Sequence, residues 1–269
     1  MVAAGLVPKK HDPGCPNPYS GLSAKACRRP ERGGAIHMEL ARPQVDVGIF
    51  TNNLEKMQAF YSGTLGLAFE SMMPMGGGMR QYRYLANGSV IKLMHARDPL
   101  PPRHAGGYRT LMVATSEVSA PEALTDPDRN TIVLVPPGRD DVTQIEVRVG
   151  VSDVDALGRF YAQACGARSI GSNRYKIGET IFALFHDPVV KRVTAPPFAD
   201  PLEVVRAMAA VGIRYVTVQV RNCDEAFKAL TSAGASEALA PTNFGTVARI
   251  CFVRDPDGNF VEISQRPPS

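Results

Sequence analysis

The sequence predicts an α+β protein made of repeated strand–helix–strand units that pair into two domains. Three segments, 45–61, 145–161 and 214–230, each begin with alternating apolar residues and then change to helical spacing. After each of them the chain continues in alternating stretches punctuated by glycine, a pattern typical of short antiparallel strands. Because a single unit of this kind cannot cover its own sheet face, the repetition favours pairing of units.

A polar residue at each change of period marks the start of a predicted helix. Asn and Asp side chains at such positions accept hydrogen bonds from the first free N–H groups of a helix. The predicted caps are Asn53, Asp153 and Asn222. The short strands expected after the three helices are 81–84 and 90–94, 172–177 and 180–185, and 248–253 and 260–264.

Residues 109–136 predict a fourth, shortened unit. Its stretch DPDRNTIVLV (126–135) parallels DPDGNFVEIS (255–264). In both stretches Asp-Pro-Asp starts a turn, because Pro fixes the second turn position and Asp bonds its own backbone, and an apolar strand follows. We interpret 109–136 as a copy that has lost most of its helix.

The order of the units along the chain predicts that consecutive units pair. The first unit and the shortened one would form a domain at 44–137, and the other two would form a second domain at 144–266. Residues 138–143 would link the two. A connector at 196–212 is expected to carry a short helix at 201–211.

The first 43 residues predict a disordered or poorly ordered tail. Residues 1–37 are rich in Pro, Gly, Lys and Arg and show no apolar period. Patterned sequence begins near Met38, which is therefore a candidate for the natural start of the protein.

Composition and charge indicate an ordinary globular protein. The 269 residues are 44% hydrophobic and 21% charged, close to globular averages. The net charge of +4 comes partly from the first 37 residues. The body of the chain has no basic stripe of the kind that binds nucleic acid, so nucleic acid binding is not expected. The sequence contains no run of 18 apolar residues, so no membrane span is predicted. The 5 cysteines are odd in number and lack a CxxC pair, so neither a disulfide framework nor a cysteine zinc site is expected, and a reducing cytoplasm is the predicted location.

The string ARICFVRDPDGNFVEISQR (248–266), taken with the upstream repeats, resembles the vicinal oxygen chelate superfamily. This superfamily includes glyoxalases, bleomycin-resistance proteins and extradiol dioxygenases, and the resemblance is to its two-domain bacterial type over 45–266. It implies repeated βαβββ units paired into two cup-shaped mixed-sheet domains. It also implies a divalent metal ion in a cup.

The resemblance places metal ligands on the first strand of each unit, seven residues before the helix cap, and on the last strand. In the N-terminal domain these positions and their neighbours hold Asp46, Lys92, Thr110 and Val133. Such a set holds a cation poorly, because an ammonium repels it and Val has no lone pair. We expect Asp46 and Lys92 to pair with each other, and this domain to be structural or a cavity wall.

In the C-terminal domain the same positions hold Glu146, Tyr215 and Glu262, which are the predicted catalytic residues. Strand alternation adds polar neighbours to the same expected cup, and these predict a substrate-binding surface too polar for a core. The predicted substrate-binding residues are Arg148, Thr217, Gln219, Arg249 and Cys251. Glu146 and Glu262 are the predicted metal ligands, in a weak site that favours Mn or Mg over Fe or Zn, or that holds no metal.

Two functions fit these residues. The first is an enzyme acting on a small oxygenated metabolite, aromatic or not, by isomerisation, lyase chemistry or ring cleavage. A metal held by Glu146 and Glu262 would assist it, or else one carboxylate would act as base with Arg148 or Arg249 holding the anion. The second is a non-catalytic protein of the bleomycin-resistance kind that holds a small ligand. Of the histidines, His186 is the best placed to complete a metal site. A homodimer is compatible with the superfamily's strand edges.

Overall fold

The structure is a computed structural model that describes residues 38–103 and 106–267. Within these residues the chain forms two mixed sheets, one of 8 strands and one of 7. The expectations for residues 1–37 lie outside the described residues. No helix in the described ranges is long and apolar enough to cross a membrane.

The elements follow the four predicted units in order. The first unit comprises β1 (Leu40–Thr51), α1 (Leu54–Gln58) with a π-helical continuation (Ala59–Thr64), β2 (Ala68–Gly76), β3 (Met79–Ala86) and β4 (Ser89–Ala96). The second comprises β5 (Tyr108–Ala114), β6 (Glu122–Thr125) and β7 (Thr131–Val135), and a 3₁₀ turn at Arg139–Asp141 follows. The third comprises β8 (Ile145–Val151), α2 (Val154–Ala164), β9 (Arg168–Gly171), β10 (Arg174–Ile177) and β11 (Thr180–His186). After α3 (Pro201–Met208), the fourth comprises β12 (Gly212–Val220), α4 (Cys223–Ser232), β13 (Ser236–Phe244), β14 (Ala248–Arg254) and β15 (Phe260–Gln265).

The sheets pair the units in an order that the sequence did not predict. Sheet A runs β13-β14-β15-β12-β1-β4-β3-β2, and sheet B runs β6-β7-β5-β8-β11-β10-β9. The first unit therefore pairs with the fourth through β1 and β12, and the second with the third through β5 and β8, both antiparallel. The predicted division into 44–137 and 144–266 does not match these sheets. The physical reason for this mismatch is that every unit has a similar apolar first strand, so the repeat pattern is compatible with any pairing of the units.

The α+β class and the two cup-like sheets of repeated units are confirmed. The buried core cluster draws Val, Ile and aromatic side chains from both sheets, together with apolar side chains from α2 and α4, which is expected for strands with one face packed inward. The second unit has no helix between β5 and β6, as its shortened sequence predicts. Strand β1 begins at Leu40, inside the predicted tail, and α3 ends at Met208, three residues before its predicted end.

Two of the three predicted helix caps are confirmed. Asp153 accepts a hydrogen bond from Ala156 N at 2.9 Å, and Asn222 accepts one from Glu225 N at 3.1 Å. Asn53 makes no such bond, and its side-chain amide donates to Asp128 in the second unit at 2.5 Å. That contact between consecutive units replaces the local cap.

The Asp-Pro-Asp turns connect the first unit with the second and the third with the fourth, whereas the sheets pair the first with the fourth and the second with the third. Tyr61 OH on the first unit donates to Asp126 at 3.0 Å, and Tyr161 OH on the third donates to Asp255 on the fourth at 3.0 Å. Burial raises the pKa of Asp255 to about 6, and the Asn259 amide and backbone bonds partly offset that rise. The four units are therefore joined in one pattern by strand pairing and in another by turn contacts.

Candidate functional site

The concave face of sheet A lines a cavity. The cavity has about 790 Å³ of empty space, including the part open to solvent, and α3 closes one of its walls. Its apolar lining includes Met73, Met75, Met94, Val205, Met208, Phe244 and Phe252. Its polar lining includes Gln81, Arg83, Lys92, Tyr215, Thr217, Gln219 and Glu262.

Lys92, Thr217 and Glu262 form a hydrogen-bonded cluster in this cavity, called here the Lys92 cluster. The Lys92 ammonium donates to Thr217 Oγ1 at 2.6 Å and to Glu262 Oε2 at 3.1 Å, and the Thr217 hydroxyl donates to Glu262 Oε2 at 2.5 Å. Thr217 and Glu262 are direct neighbours on the parallel strands β12 and β15. The side chains of Lys92 and Glu262 are only 6% and 15% exposed, so their charges interact with little screening.

Strand β1 lies between β4, which carries Lys92, and the strands that carry Thr217 and Glu262. It has a glycine at the point where the Lys92 side chain passes over it. Gly48 is in register with Lys92 on β4 and with Tyr215 on β12. The Lys92 Nζ lies 5.5 Å from the centre of the Tyr215 ring, a cation–π distance. Burial, followed by the charges of Glu262 and Asp46, raises the pKa of Tyr215 well above its usual value, so the phenol is neutral. Tyr215 therefore presents a neutral aromatic ring to the ammonium.

Replacing Gly48 with Ala is expected to destabilise the protein by about 1–3 kcal/mol, the usual cost of overpacking. An added Cβ would lie 1.9 Å from a carbon of the Tyr215 ring, so the ring or the strand has to move. Urea unfolding measures the free energy of unfolding of the variant. The matched control is Gly63→Ala, where a Cβ meets nothing within 4 Å and no loss is expected. Equal losses in the two variants would contradict the packing of Tyr215 against Gly48.

Asp46 does not pair with Lys92, contrary to the sequence prediction. Its carboxylate is fully buried and accepts hydrogen bonds from Val90 N at 2.9 Å, Arg42 Nη2 at 3.1 Å and Gln219 Nε2 at 3.3 Å. Asp46 thus holds Gln219 and the start of β4 in place. The prediction failed because it placed the fourth unit, which carries both partners of Lys92, in a different domain.

Arg83 is a cavity residue that the sequence did not single out. It lies directly opposite Lys92 on the antiparallel strands β3 and β4. Its guanidinium donates from Nε to Glu70 and from Nη1 to Gln81 Oε1, the second bond at 3.3 Å. Alternation within β3 puts Gln81 and Arg83 on one face, and this alternation was the available sequence signal.

Glu146 and Arg148 lie in a separate cavity on sheet B. The buried Glu146 carboxylate accepts a bond from Arg148 Nε at 3.1 Å and two from Arg174, at 2.9 and 2.7 Å. This cavity is lined also by Thr110 and Phe185. Glu146 and Glu262 therefore face different cavities, and the predicted metal pair is wrong.

Arg249 and Cys251 lie outside the cavity as well. Arg249 makes two bonds of 2.7 Å to Asp224 at the start of α4, and the Cys251 thiol is fully buried in the core. A contact with Cys223 and burial raise the pKa of Cys251 well above its usual value, which disfavours the thiolate form. Ile250 and Phe252 line the cavity instead, because a shift of one residue moves each side chain of a strand to the other face. His186 bonds the Ser152 carbonyl at 3.2 Å and joins no ligand set.

The donor set of neither cup fits the metal ion that the resemblance implies. In sheet A an ammonium is bonded to Glu262, the carboxylate that lines the cavity, and in sheet B two guanidiniums bond Glu146. A cation bound beside them would be repelled by charges that already occupy the oxygen ligands. Among the residues that the structure describes, no three His, Cys, Asp or Glu side chains come close enough together to hold a metal.

Comparison with known proteins is consistent with this architecture. The family model of the glyoxalase/bleomycin resistance protein/dioxygenase superfamily matches residues 44–127 and 141–263. The chain belongs to this superfamily. No curated protein matches the sequence of this superfamily member.

Solved structures share the fold of this superfamily member at low sequence identity. Glyoxalase I from Zea mays is 12% identical with a TM-score of 0.60, covering 82% of this chain and 92% of its own. A single-residue variant of the same enzyme is 13% identical with a TM-score of 0.63, and it covers the same shares of the two chains. A candidate dioxygenase from Bacillus subtilis is 13% identical with a TM-score of 0.60, covering 87% of this chain and 86% of its own. At such identity these structures show the fold, and the chemistry has to be argued from the residues of this chain.

Proposed function

We propose that this superfamily member is an enzyme that transfers a proton on a small oxygenated organic molecule bound in the sheet A cavity, as an isomerase or a lyase. The observation that carries the proposal is the Lys92 cluster, in which a buried ammonium, a hydroxyl and a carboxylate meet at the floor of a cavity with apolar walls. Buried, opposed charges in a cavity are typical of catalytic sites.

Glu262 is the general base in this proposal. Its Oε2 atom accepts the bonds from Lys92 and Thr217, whereas no described residue donates a hydrogen bond to its Oε1 atom. Oε1 is therefore the atom that takes a proton from the substrate. Thr217 fixes the orientation of the carboxylate, and such positioned carboxylates contribute about 10²–10⁴-fold to proton transfer.

Lys92 stabilises the negative charge that forms on the substrate. An ammonium has three N–H donors, and Thr217 and Glu262 occupy two of them. The third can bond an oxygen of the substrate that lies beside the carbon deprotonated by Glu262. Because the ammonium is held in place before the reaction, it stabilises an oxyanion without reorganisation.

The proton transfer balances without a metal ion or a redox partner. Glu262 takes the proton from the carbon next to a carbonyl, the C–H electron pair forms a carbon–carbon double bond, and the carbonyl π pair moves to the oxygen beside Lys92. Return of the proton to the opposite face of the same carbon, while the electron pair on oxygen re-forms the carbonyl, inverts that carbon and completes an isomerisation. Departure of a group from the next carbon completes a lyase reaction instead.

Ring cleavage is the less well supported of the predicted reactions. It uses an open metal site made of two histidines and a carboxylate. Tyr215 and Lys92 stand in the cavity where such ligands would be needed, and they supply a neutral phenol and an ammonium.

The test is hydrogen–deuterium exchange of a carbonyl compound in D₂O, followed by proton NMR. The two probes are 4-methyl-2-oxopentanoate and the uncharged 4-methylpentan-2-one, which share the carbon skeleton next to the carbonyl. We expect the protein to accelerate loss of the C3 proton signal of at least one probe, in proportion to protein concentration and equally in the presence of EDTA. Binding without exchange of either probe would support a non-catalytic protein, and exchange that EDTA abolishes would show a metal-dependent reaction.

A further inference from the structure

We infer that the substrate is a 2-oxo carboxylate with an apolar group on C3. This inference rests on the proposed function and adds the chemical class of the substrate. It follows from the order in which three charged side chains lie across sheet A and from the hydrogen-bond donors that they leave unused.

Arg83 and Lys92 place two buried cations side by side. They face each other on β3 and β4, and they are 6% and 5% exposed. Like charges directly opposite each other on neighbouring strands destabilise a sheet. Each cation has a carboxylate partner, Glu70 for Arg83 and Glu262 for Lys92, but Glu70 does not line the cavity. The cavity lining therefore holds three cations, Arg83, Lys92 and Arg266, and the carboxylate of Glu262, an arrangement that favours an anion.

The unused donors identify the groups that such an anion would carry. Arg83 has five N–H donors and spends one on Glu70 and one on Gln81, so three remain. A guanidinium matches a carboxylate, which it can bond through two parallel N–H donors. Lys92 has one donor left, which suits a single carbonyl oxygen.

The order of the side chains matches the order of the atoms in a 2-oxo acid. Strands run β3, β4, β1, β12, β15 across this part of sheet A, so Arg83, Lys92 and Glu262 follow one another in that order. The carboxylate C1 would lie at Arg83, the C2 carbonyl oxygen at Lys92 and the C3 proton at Glu262. The apolar lining then receives the group on C3, and methionines such as Met94 and Met208 adapt to its shape.

The experiment compares the two exchange probes in the same protein. We expect kcat/KM for exchange at C3 to be about 10- to 100-fold higher for 4-methyl-2-oxopentanoate than for 4-methylpentan-2-one, the usual effect of one charge-assisted pair. Arg83→Gln should lower kcat/KM for the acid to about the level of the ketone, mainly through a higher KM. Arg83→Lys should recover part of the preference, because it restores the charge without the two-donor geometry.

Arg221→Gln is the matched control, since Arg221 is an exposed arginine paired with Glu39 at 2.8 Å and lies outside the cavity lining. It should leave the preference unchanged. Equal rates for acid and ketone in the unmodified protein would overturn the inference and leave the proposed function standing. If Arg83→Gln slows exchange of the acid and of the ketone by the same factor, Arg83 only supports the fold. Exchange of neither probe in the unmodified protein would refute the proposed function itself.

Discussion

Replacing Glu262 with Gln is expected to slow deuterium exchange of 4-methyl-2-oxopentanoate by about 10²–10⁴-fold, the contribution of a positioned general base. Gln has the size of Glu, and its amide oxygen can still accept the bonds that Lys92 and Thr217 donate. It cannot take up a proton. The rate is measured by NMR at saturating substrate, so that the change appears in kcat.

Glu146→Gln compares the second cup with the first. The structure places Glu146 on sheet B, bonded to Arg148 and Arg174, so this variant should exchange the substrate at the rate of the unmodified protein. Circular dichroism is the check that both variants are folded. If Glu146→Gln loses exchange and Glu262→Gln keeps it, the reaction belongs to sheet B and the assignment of the cavity is wrong.

Local structure was predictable because its causes lie within a few residues. Asp153 and Asn222 cap helices through bonds to the third residue after them, and the turns at Asp126 and Asp255 bond their own backbone. Such contacts leave a mark in any short window of sequence. The number of units, the shortened second unit and the fold class followed from them.

The pairing of the units was not predictable from the repeats. The contact of β1 with β12 joins residues such as Val47 and Val216. Strand β8 has valines at equivalent positions, so the sequence pattern would be equally compatible with pairing of β1 and β8. The assignment of Arg249 and Cys251 to the cavity failed for a related reason. Strand alternation fixes which residues share a face, but it does not fix which face is concave.

The site could be predicted only in part because it is assembled across the chain. Glu262, Tyr215, Thr217 and Gln219 were recognised from their strands and all line the cavity. Lys92 was treated as a wall of another domain, since its bonds to Thr217 and Glu262 span 125 and 170 residues. The sequence showed that Lys92 occupies a position where the family has a metal ligand. It did not show that Thr217 and Glu262 are the partners of the Lys92 charge.

Replacing Lys92 with Met is expected to lower kcat for exchange by about 10²–10³-fold, the usual effect of removing one oxyanion-stabilising donor. Met has nearly the same length and keeps the apolar contact with the Tyr215 ring. Lys92→Arg should retain part of the activity, because it restores a cation beside the same oxygen. Full activity in Lys92→Met would exclude the ammonium from the reaction.

A double variant separates the chemistry of this cluster from its part in folding. Lys92→Met alone leaves Glu262 without its cation, and we expect a loss of about 1–3 kcal/mol in the free energy of unfolding, less than for a fully buried pair because Glu262 is 15% exposed. Adding Glu262→Gln removes the uncompensated charge, so the double variant should regain most of this stability. It should not regain activity, because both the base and the oxyanion donor are gone. If unfolding measurements and exchange rates recover together, the cluster serves the fold; if stability alone recovers, the buried ion pair is kept for the reaction that it performs.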